Sequence, residues 1–340
     1  MNAFQWTDAT SVKQATGRNT TPVADAMLVN AKPESATIFK AGGVDVLDLM
    51  KEHVLAPARI VGIGNLPKLD AIRNAGKDGT HLGALVTLAQ LEGDGGLQKS
   101  YRALTEAASH AATPQVRNAA TLGGNIMQRP HCWYFRNENF KCLKKGGTVC
   151  FANQPGAENK YHAIMGNQTC SAVHGSSIST ALVAFGAQVE LTGPQGVRRV
   201  PLEQFFVTPE KDVQRENSIQ ANELITDVLL PTPAAGTGSW YIKFGERESY
   251  DWALADVAVV LEQQNGRCTK ASIVLGAAAP VPLRATAAEA ALIGKPINEE
   301  TARAAGQAAT AGATPLEHNA YKVPIFAAIV KRAIMKAGEA

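Results

Sequence analysis

Four of the five cysteines of this chain lie close together in sequence, at Cys132, Cys142, Cys150 and Cys170. Cysteine thiolates hold zinc ions and iron–sulfur clusters. The spacings are Cys-x9-Cys, Cys-x7-Cys and Cys-x19-Cys, whereas structural zinc sites usually contain a close Cys-x2-4-Cys pair. Widely separated ligands suit the four corners of a [4Fe–4S] cluster. The spacing therefore favours a [4Fe–4S] cluster with these four cysteines as metal ligands.

The spacing leaves three alternatives for the cysteines. Zinc could be bound with help from His131 or His162, the thiols could form disulfides, or they could carry no ligand. Five is an odd count, and a chain of 340 residues is too long to need disulfides. We therefore expect free thiols in a reducing compartment. Cys268 follows a turn in strand-like sequence and is predicted to be a structural thiol.

The sequence around the cysteines is both basic and aromatic. Residues 129–145 contain one acid, Glu138, and these cations: Arg129, Arg136, Lys141, Lys144 and Lys145. Cations would offset the net negative charge of a cluster with four thiolates; a solvated loop is the alternative interpretation. The run Trp133-Tyr134-Phe135 would either shield a cluster from water or anchor the loop.

Two glycine turns lie upstream of the cysteines. The first follows the apolar run Ala36-Thr37-Ile38-Phe39 and leads into helical spacing; it reads Lys40-Ala41-Gly42-Gly43-Val44-Asp45-Val46. A strand, a double glycine and a helix start can cradle a phosphate through backbone N–H groups, although a simple tight turn fits as well. The second turn is Thr121-Leu122-Gly123-Gly124-Asn125. Before it, Arg117 and Asn118 are predicted to lie in a loop.

Composition sets the limits for these elements. The chain is 45% hydrophobic and 19% charged, with a net charge of +3, which allows a large core and gives no argument for nucleic acid or anionic membrane as a partner. No apolar run reaches the roughly 18–20 residues that cross a bilayer. The N-terminus lacks the pattern of a secretory signal. We therefore expect a cytoplasmic protein with no membrane span, although export with a signal-bearing partner would leave no mark here.

The remaining chain reads as an alternation of short strands and helices, and thus as an α+β protein. Helical sequence is predicted for 88–112, with a break at 93–96, and for 179–185. Residues 223–231 resemble a strand, and 231–238 a linker. Beyond it, three strands precede three helices, the last over 322–336.

Several motifs, in order, resemble the FAD-binding subunit of the molybdenum hydroxylase (xanthine dehydrogenase) family. They are Ala41 to Leu47, His81 to Ala84, Pro114 to Ile126, Tyr241 to Arg247, Leu275 to Ala277, and Pro280 to Pro282. The resemblance implies a vanillyl-alcohol oxidase-type FAD-binding fold of two subdomains, plus a C-terminal α+β domain of the CO dehydrogenase flavoprotein type. It places FAD-binding subdomain 1 at 1–60, subdomain 2 at 61–231 with an iron–sulfur insert at 127–176, and the C-terminal domain at 232–340.

The resemblance also implies which residues contact FAD. Those that would wrap its pyrophosphate are Phe39, Lys40, Ala41, Gly42, Gly43, Val44, Asp45 and Val46. Thr121, Gly124 and Asn125 would contact the diphosphate and ribityl region, Leu224 would lie near the flavin or adenine, and Lys243 would reach the ring system. Two positions depart from the family pattern: Val44 replaces a threonine, and Ser177 replaces an aspartate.

An ordinary family member lacks the cysteine stretch. The insert resembles those of periplasmic-type aromatic aldehyde oxidoreductases and of 4-hydroxybenzoyl-CoA reductases, in which it holds a [4Fe–4S] cluster; the run Cys132-Trp133-Tyr134-Phe135 favours the aldehyde branch. The implied function is an electron-transfer subunit with no catalytic residue of its own. Its implied partners are a molybdopterin-binding large subunit, a small [2Fe–2S] subunit and an external electron acceptor. The alternatives are a reductase of the second branch and a zinc-stabilised binding protein.

Overall fold

A computed structural model describes residues 1–28 and 35–339 of the chain. The first part forms a three-stranded parallel sheet in the order β1-β3-β2. Its strands are β1 (Gln5–Asp8), β2 (Thr37–Lys40) and β3 (Arg59–Gly62), and its helices are α1 (Val12–Thr16), α2 (Val23–Ala26) and α3 (Val44–Lys51). Leu49 and Met50 of α3 are buried against Ile38 and Ile60 of the sheet. The first glycine turn therefore joins the carboxyl end of strand β2, at the edge of this sheet, to helix α3, as its sequence predicts.

The second part is a five-stranded antiparallel sheet in the order β4-β5-β8-β6-β7. Its strands are β4 (Ile72–Asn74), β5 (Thr80–Gly83), β6 (Gln188–Gly193), β7 (Gly196–Pro201) and β8 (Leu224–Leu230). Its helices are α4 (Leu88–Gly93), α5 (Gly95–Ser100), α6 (Arg102–Ser109), α7 (Pro114–Ala119), α8 (Leu122–Ile126), α9 (Ser177–Ala184) and α10 (Leu202–Phe205). The predicted helices over 88–112 and 179–185 and the predicted strand over 223–231 are confirmed.

The loop predicted for Arg117 and Asn118 is wrong, because both residues belong to helix α7. Thr113 caps that helix, accepting a hydrogen bond from the N–H of Val116 at 3.2 Å, and Pro114 occupies its first turn. Both are standard helix-start signals. The guanidinium of Arg117 pairs with Glu92 of α4 at 2.8 Å, which holds α7 in place.

The third part is a four-stranded antiparallel sheet in the order β12-β11-β10-β9. Its strands are β9 (Thr237–Phe244), β10 (Ala255–Gln264), β11 (Arg267–Gly276) and β12 (Leu283–Arg284), and its helices are α11 (Thr286–Leu292), α12 (Glu299–Ala309) and α13 (Lys322–Gly338). Side chains alternate across the sheet. Trp240 and Ile242 pack with α13, whereas Tyr241 packs with α9 and the second sheet. One face of this sheet thus points towards the rest of the molecule.

The three sheets occupy successive stretches of chain, while the domain boundaries at 60/61 and 231/232 remain predictions. The insert contains short 3-10 turns, Leu143–Lys145 and Phe151–Asn153, but no longer helix among the described residues. Over residues 1–28 and 35–339, none of the helices is both long enough and apolar enough to cross a membrane.

Candidate functional site

A cavity of about 580 Å³ is lined by residues from all three parts of the chain. It takes Gly42 from the first part, Thr121 and Leu224 from the second, and Lys243 from the third. Every residue predicted to contact the cofactor lines this cavity except Lys40. Those that do are Phe39, Ala41, Gly42, Gly43, Val44, Asp45, Val46, Thr121, Gly124, Asn125, Ser177, Leu224 and Lys243. Residues distant in sequence are thus brought around one space.

Lys40 directs its side chain elsewhere. Its ammonium lies 5.5 Å from the centre of the Trp6 ring, and its carbonyl accepts a hydrogen bond from the N–H of Ile63 at 2.9 Å. The favourable interaction between a cation and an aromatic face holds the side chain on Trp6. A contact of Lys40 with a ligand in the cavity would therefore involve backbone atoms only.

The first glycine turn offers unpaired donors. Within the described residues, the amide N–H groups of residues 42 to 46 have no protein acceptor; the first helical bond of α3 runs from the N–H of Leu47 to Gly43. Such groups at a helix start, together with the partial positive charge of the helix, attract an anion. Gly43 has φ +82°, which favours glycine, and a Cβ at Gly42 would lie 1.9 Å from the carbonyl oxygen of Ala119. The turn fits a diphosphate that approaches its backbone.

The second glycine turn uses its donors differently. The N–H groups of Leu122 and Gly123 donate to Val86 and Ala84, both at 2.8 Å, and that of Gly124 donates to the Thr121 hydroxyl at 3.2 Å. Asn125 accepts a hydrogen bond from the Ser176 hydroxyl through Oδ1 at 2.5 Å. These bonds fix the turn to the second sheet. Anion-binding amides are therefore concentrated in the first turn, and the second forms the facing wall.

The C-terminal part supplies a cation and an aromatic loop. The ammonium of Lys243 donates to the carbonyl of His110 at 2.9 Å and to that of Asp251 at 2.5 Å. Burial lowers the pKa of Lys243, and the charges of Asp256 and Asp251 oppose this effect. Trp252 lines the cavity and stacks on His131 of the insert, with ring centres 3.7 Å apart. Trp252 and His131 were not predicted to line the cavity. The aromatic residues Tyr250 and Trp252, which follow the Lys243 motif by a few residues, were a usable signal for a loop at the cavity.

The four clustered cysteines share one neighbourhood beside this cavity. Cys142 is buried in the core around α3, and Cys132 packs against that core. The interaction between the Cys150 and Cys170 thiols lowers the pKa of Cys150 and raises that of Cys170. Burial raises the pKa of Cys132 to about 12, and charge on Cys142 or Cys150 would raise it further.

The four cysteines are candidate sulfur donors for a metal centre. All four cysteines have free thiols, which excludes the disulfide alternative for this state. Around the described residues there is no group of three or more His, Cys, Asp or Glu side chains arranged to hold a single metal ion. A [4Fe–4S] cluster makes a different demand, since it takes one thiolate at each of four separate irons. A [4Fe–4S] cluster on these four cysteines therefore stays a prediction.

Two cations of the insert share one buried carboxylate. The guanidinium of Arg129 lies 2.9 Å from a carboxylate oxygen of Glu216, and the ammonium of Lys144 lies 2.8 Å from the other. All three side chains are buried. Burial would raise the pKa of Glu216, but the two cations hold it at about 2. The solvated-loop alternative is wrong for these two cations, because both are buried. Glu216 balances one of the two positive charges, and the charge of Lys144 also lowers the pKa of Cys170, so an offset of cluster charge stays a prediction.

A second set of ion pairs attaches the insert to the first glycine turn. Arg136 contacts Asp45 at 2.5 Å and Asp48 at 2.8 Å, and the backbone N–H of Arg129 donates to Asp45 at 3.1 Å. Asp45 lies in the first turn of α3. The insert is therefore fixed directly to the helix whose amides face the cavity.

The insert is also held by the C-terminal part. The N–H of Ile164 donates to Ala278 at 2.9 Å, Asn167 donates to Thr314 at 2.9 Å, and Lys160 pairs with Glu246. The sequence predicted an insert attached at the second glycine turn. The structure shows an insert that contacts all three parts of the chain, since Arg129 and Lys144 also pair with Glu216 of the second part.

The buried side chains of Glu216 and His174 predict that acid destabilises the protein. The pKa of Glu216 in the folded protein is lowered to about 2. Its ionised carboxylate therefore stabilises the folded protein at pH values above the ordinary pKa of a glutamate. This stabilisation is lost as the pH falls from that ordinary pKa towards about 2. Burial lowers the pKa of His174 to about 4, so protonation below its ordinary value favours unfolding, by at most about 3 kcal/mol. We expect the thermal midpoint, followed by circular dichroism, to fall between about pH 6.5 and pH 4 because of His174, and to fall further below about pH 4.5 because of Glu216. A His174→Gln variant should show a shallower fall; an unchanged slope would contradict this role of His174.

Comparison with known proteins is consistent with this geometry. The chain matches a family described as the FAD binding domain in molybdopterin dehydrogenase over residues 2–233, and the CO dehydrogenase flavoprotein C-terminal domain over residues 240–337. It is 33% identical to the aldehyde oxidoreductase FAD-binding subunit PaoB of Escherichia coli K12, over 90% of this chain and 92% of that protein. It is 28% identical to the carbon monoxide dehydrogenase medium chain of Hydrogenophaga pseudoflava, over 92% and 93% of the two chains.

Solved structures have the same fold. A chain of carbon monoxide dehydrogenase from Hydrogenophaga pseudoflava superposes with a TM-score of 0.72 at 29% identity, covering 99% of this chain and 97% of that one. A chain of the enzyme from Oligotropha carboxidovorans gives a TM-score of 0.74 at 24% identity, covering 99% and 98%. The predicted fold class and family are confirmed. The protein therefore belongs to the family of FAD-binding flavin subunits of the molybdenum hydroxylases, which are oxidoreductases.

Proposed function

We propose that this chain is the electron-transfer subunit of a molybdenum-dependent aldehyde oxidoreductase, holding one FAD in the cavity and one [4Fe–4S] cluster on Cys132, Cys142, Cys150 and Cys170. The observation that carries the FAD proposal is the row of unpaired amides at residues 42 to 46 on the cavity wall. The aldehyde assignment is supported by the 33% identity to an aldehyde oxidoreductase subunit. Bound FAD would supply two-electron chemistry and the cluster one-electron transfer.

The residues of this chain would act by binding and charge. The amides of the first glycine turn would hold the diphosphate of FAD, and Thr121 and Asn125 would face it from the second turn. Leu224 would pack against the ligand. The ammonium of Lys243 would attract negative charge on the ring system by Coulomb interaction, which a partly buried position strengthens. Ser177 presents a hydroxyl where the family has a carboxylate, so this wall of the cavity carries one negative charge fewer.

The proposal includes partner chains. A molybdopterin-binding large subunit would oxidise the aldehyde, a small [2Fe–2S] subunit would pass electrons to this chain, and an external acceptor would take them away. The proximity of the insert to α3 supports a short path between the cysteines and the cavity. We propose a cytoplasmic complex, with export beside a signal-bearing partner as the alternative. Separation of the cytoplasmic and periplasmic fractions of cells, followed by detection of the assembled complex in each fraction, distinguishes the two.

Replacing Cys142 with Ser tests the cluster. The purified complex of the unaltered protein should contain about four irons on this chain beyond those of its partners, as a cubane requires. The Cys142→Ser variant should lose this iron and its visible absorbance while FAD, released by denaturation, stays near one per chain. The matched control is Cys268→Ser, which removes a buried thiol that donates to Lys270 in the C-terminal sheet and should keep the iron.

Other outcomes identify the rival functions. Zinc in place of iron on this chain, with no flavin released, would contradict the proposal and indicate a zinc-stabilised binding protein. Reduction of an aromatic thioester by the complex, without aldehyde oxidation, would indicate the 4-hydroxybenzoyl-CoA reductase type. Aldehyde oxidation coupled to bleaching of the flavin absorbance would support the proposed function.

A further inference from the structure

A buried carboxyl group lies directly behind the Lys243 wall of the cavity. In the antiparallel register of the C-terminal sheet, Asp256 of β10 is opposite Lys243 of β9, and Ala258 is opposite Tyr241. Directly opposed residues share a face of the sheet. Tyr241, Lys243 and Asp256 therefore all lie on the face that points to α9 and the cavity.

The sheet is built to make room for this carboxyl group. Gly276 of β11 is the other neighbour of Asp256. A Cβ at Gly276 would lie 1.9 Å from Asp256 Oδ1 and 2.4 Å from Thr180 Oγ1. A side chain at this position is thus incompatible with the arrangement of Asp256 and Thr180. The glycine in the Leu275-Gly276-Ala277 motif gives the carboxyl its space.

Two polar atoms in this region lack partners. Asp256 is 3% exposed and Tyr241 is 2% exposed, and within the described residues neither Asp256 Oδ1 nor the Tyr241 hydroxyl has a hydrogen-bond partner that satisfies ordinary geometry. Ser177, which lines the cavity, lies close enough to Tyr241 to lower its pKa. A buried unpaired polar atom is costly. Tyr241 and Asp256 are therefore buried polar groups that lie between the cavity wall at Ser177 and the C-terminal sheet, close enough for the charge of Asp256 to raise the pKa of Tyr241.

The groups that face Asp256 set when it is charged. Lys243 faces it from β9 and Lys322 from α13, Tyr241 is the titratable neighbour on β9, and α9 contributes the uncharged Thr180. Burial raises the pKa of Asp256 to about 6, against the opposing effects of the Thr180 hydroxyl and the two lysines. Burial also lowers the pKa of Lys322 to about 7. The carboxyl thus changes charge close to neutral pH, behind a lysine whose own charge faces the cavity.

We propose that Asp256 is a positioning residue for flavin reduction: by gaining or losing a proton, it sets how much of the positive charge of Lys243 reaches the bound flavin. The inference rests on the proposed function, in which the flavin ring lies at the Lys243 end of the cavity. An ionised Asp256 offsets Lys243 and makes reduction of the ring less favourable. The added negative charge of a reduced ring would raise the affinity of the Asp256 carboxylate for a proton, and Asp256 would take this proton from solvent and return it to solvent when the ring is reoxidised.

The test measures the midpoint potential of the flavin in the purified complex between pH 5 and pH 8. In the unaltered complex, we expect an added inflection near the ionisation of Asp256. In Asp256→Asn, which keeps the shape and removes the charge, the flavin should be reduced at a more positive potential at pH 8, and the inflection should be absent. The control is Asp227→Asn, which alters a buried carboxylate paired with Arg73 and His81 outside the cavity; it should keep the inflection.

A second variant decides the matter if Asp256→Asn does not fold. Thr180→Val removes the hydroxyl that lowers the pKa of Asp256, so the inflection should move to higher pH. Curves that coincide with the unaltered complex in both variants, with flavin bound, would overturn the inference and leave the proposed function intact. A complex whose flavin subunit binds no flavin would overturn both.

Discussion

The variant Glu216→Gln is expected to lose about 3–5 kcal/mol of stability in the region of the insert, because it leaves two buried cations without a counter-charge. Arg129 and Lys144 both lie within 3 Å of the Glu216 carboxylate, and neither has solvent to take its place. Gln keeps the size of the side chain and removes only the charge. Hydrogen exchange of peptides from residues 127–176 should report the change as faster exchange, together with a lower thermal midpoint.

The matched control for this variant is Glu210→Gln, since Glu210 is an exposed residue of the same segment. We expect it to keep the exchange pattern and the thermal midpoint within error, as surface substitutions commonly do. Protection of the insert that is equal in both variants would show that the buried ion pairs contribute nothing to its stability. It would also weaken the explanation of acid sensitivity.

The variant Gly42→Ala is expected to lose bound FAD. A Cβ at this position would lie 1.9 Å from the carbonyl oxygen of Ala119, and backbone atoms cannot move aside as a flexible side chain can. Relief of this overlap must separate the first glycine turn from helix α7, at about 1–3 kcal/mol by the usual cost of overpacking. The amides at residues 42 to 46 then no longer face the second turn. The affinity for FAD should therefore fall by roughly 5- to 150-fold, and the flavin released from the purified protein, measured by fluorescence, should fall with it.

Gly64→Ala is the control for this prediction. Gly64 lies just beyond β3 in the neighbouring loop, and a Cβ there would lie 3.6 Å from the carbonyl oxygen of Ala41, an ordinary contact. This variant should bind FAD as the unaltered protein does. Equal flavin content in the two variants would contradict the role assigned to the first turn, and equal loss would indicate that the region tolerates no added methyl group.

Local features of this protein could be predicted from its sequence. The sequence predicts that the first glycine turn lies between a short apolar strand and a helix. The structure confirms this, since the turn joins β2 to α3. Strands β9 to β11 and helix α13 follow from alternation and from spacing in the same way. The motifs around Gly42, Thr121 and Lys243 indicated the family, and their shared cavity follows from the family fold. These patterns and motifs consist of residues that are close together in sequence, so they can be recognised from one sequence alone.

Contacts between distant residues could not be predicted in this way. Nothing in the sequence near Arg129 or Lys144 indicates that Glu216 will be their partner. The Asp256 carboxyl reads as a polar interruption of an apolar strand, and only the register with Lys243 and Gly276 reveals its surroundings. Helix α7 was missed for a different reason. Its capping threonine and first-turn proline were present, but its six residues are too few for a periodic pattern.

The attachment of the insert has a consequence for the order of events during synthesis. Hydrogen bonds join Ile164 to Ala278 and Asn167 to Thr314, and the side chain of Asn319 donates to the carbonyl of His162. Domains generally fold from the N-terminus while the ribosome is still elongating the chain. The insert cannot complete its contacts until residue 319 has left the ribosome. Any cofactor delivered to the four cysteines in their final arrangement would therefore meet a nearly finished polypeptide.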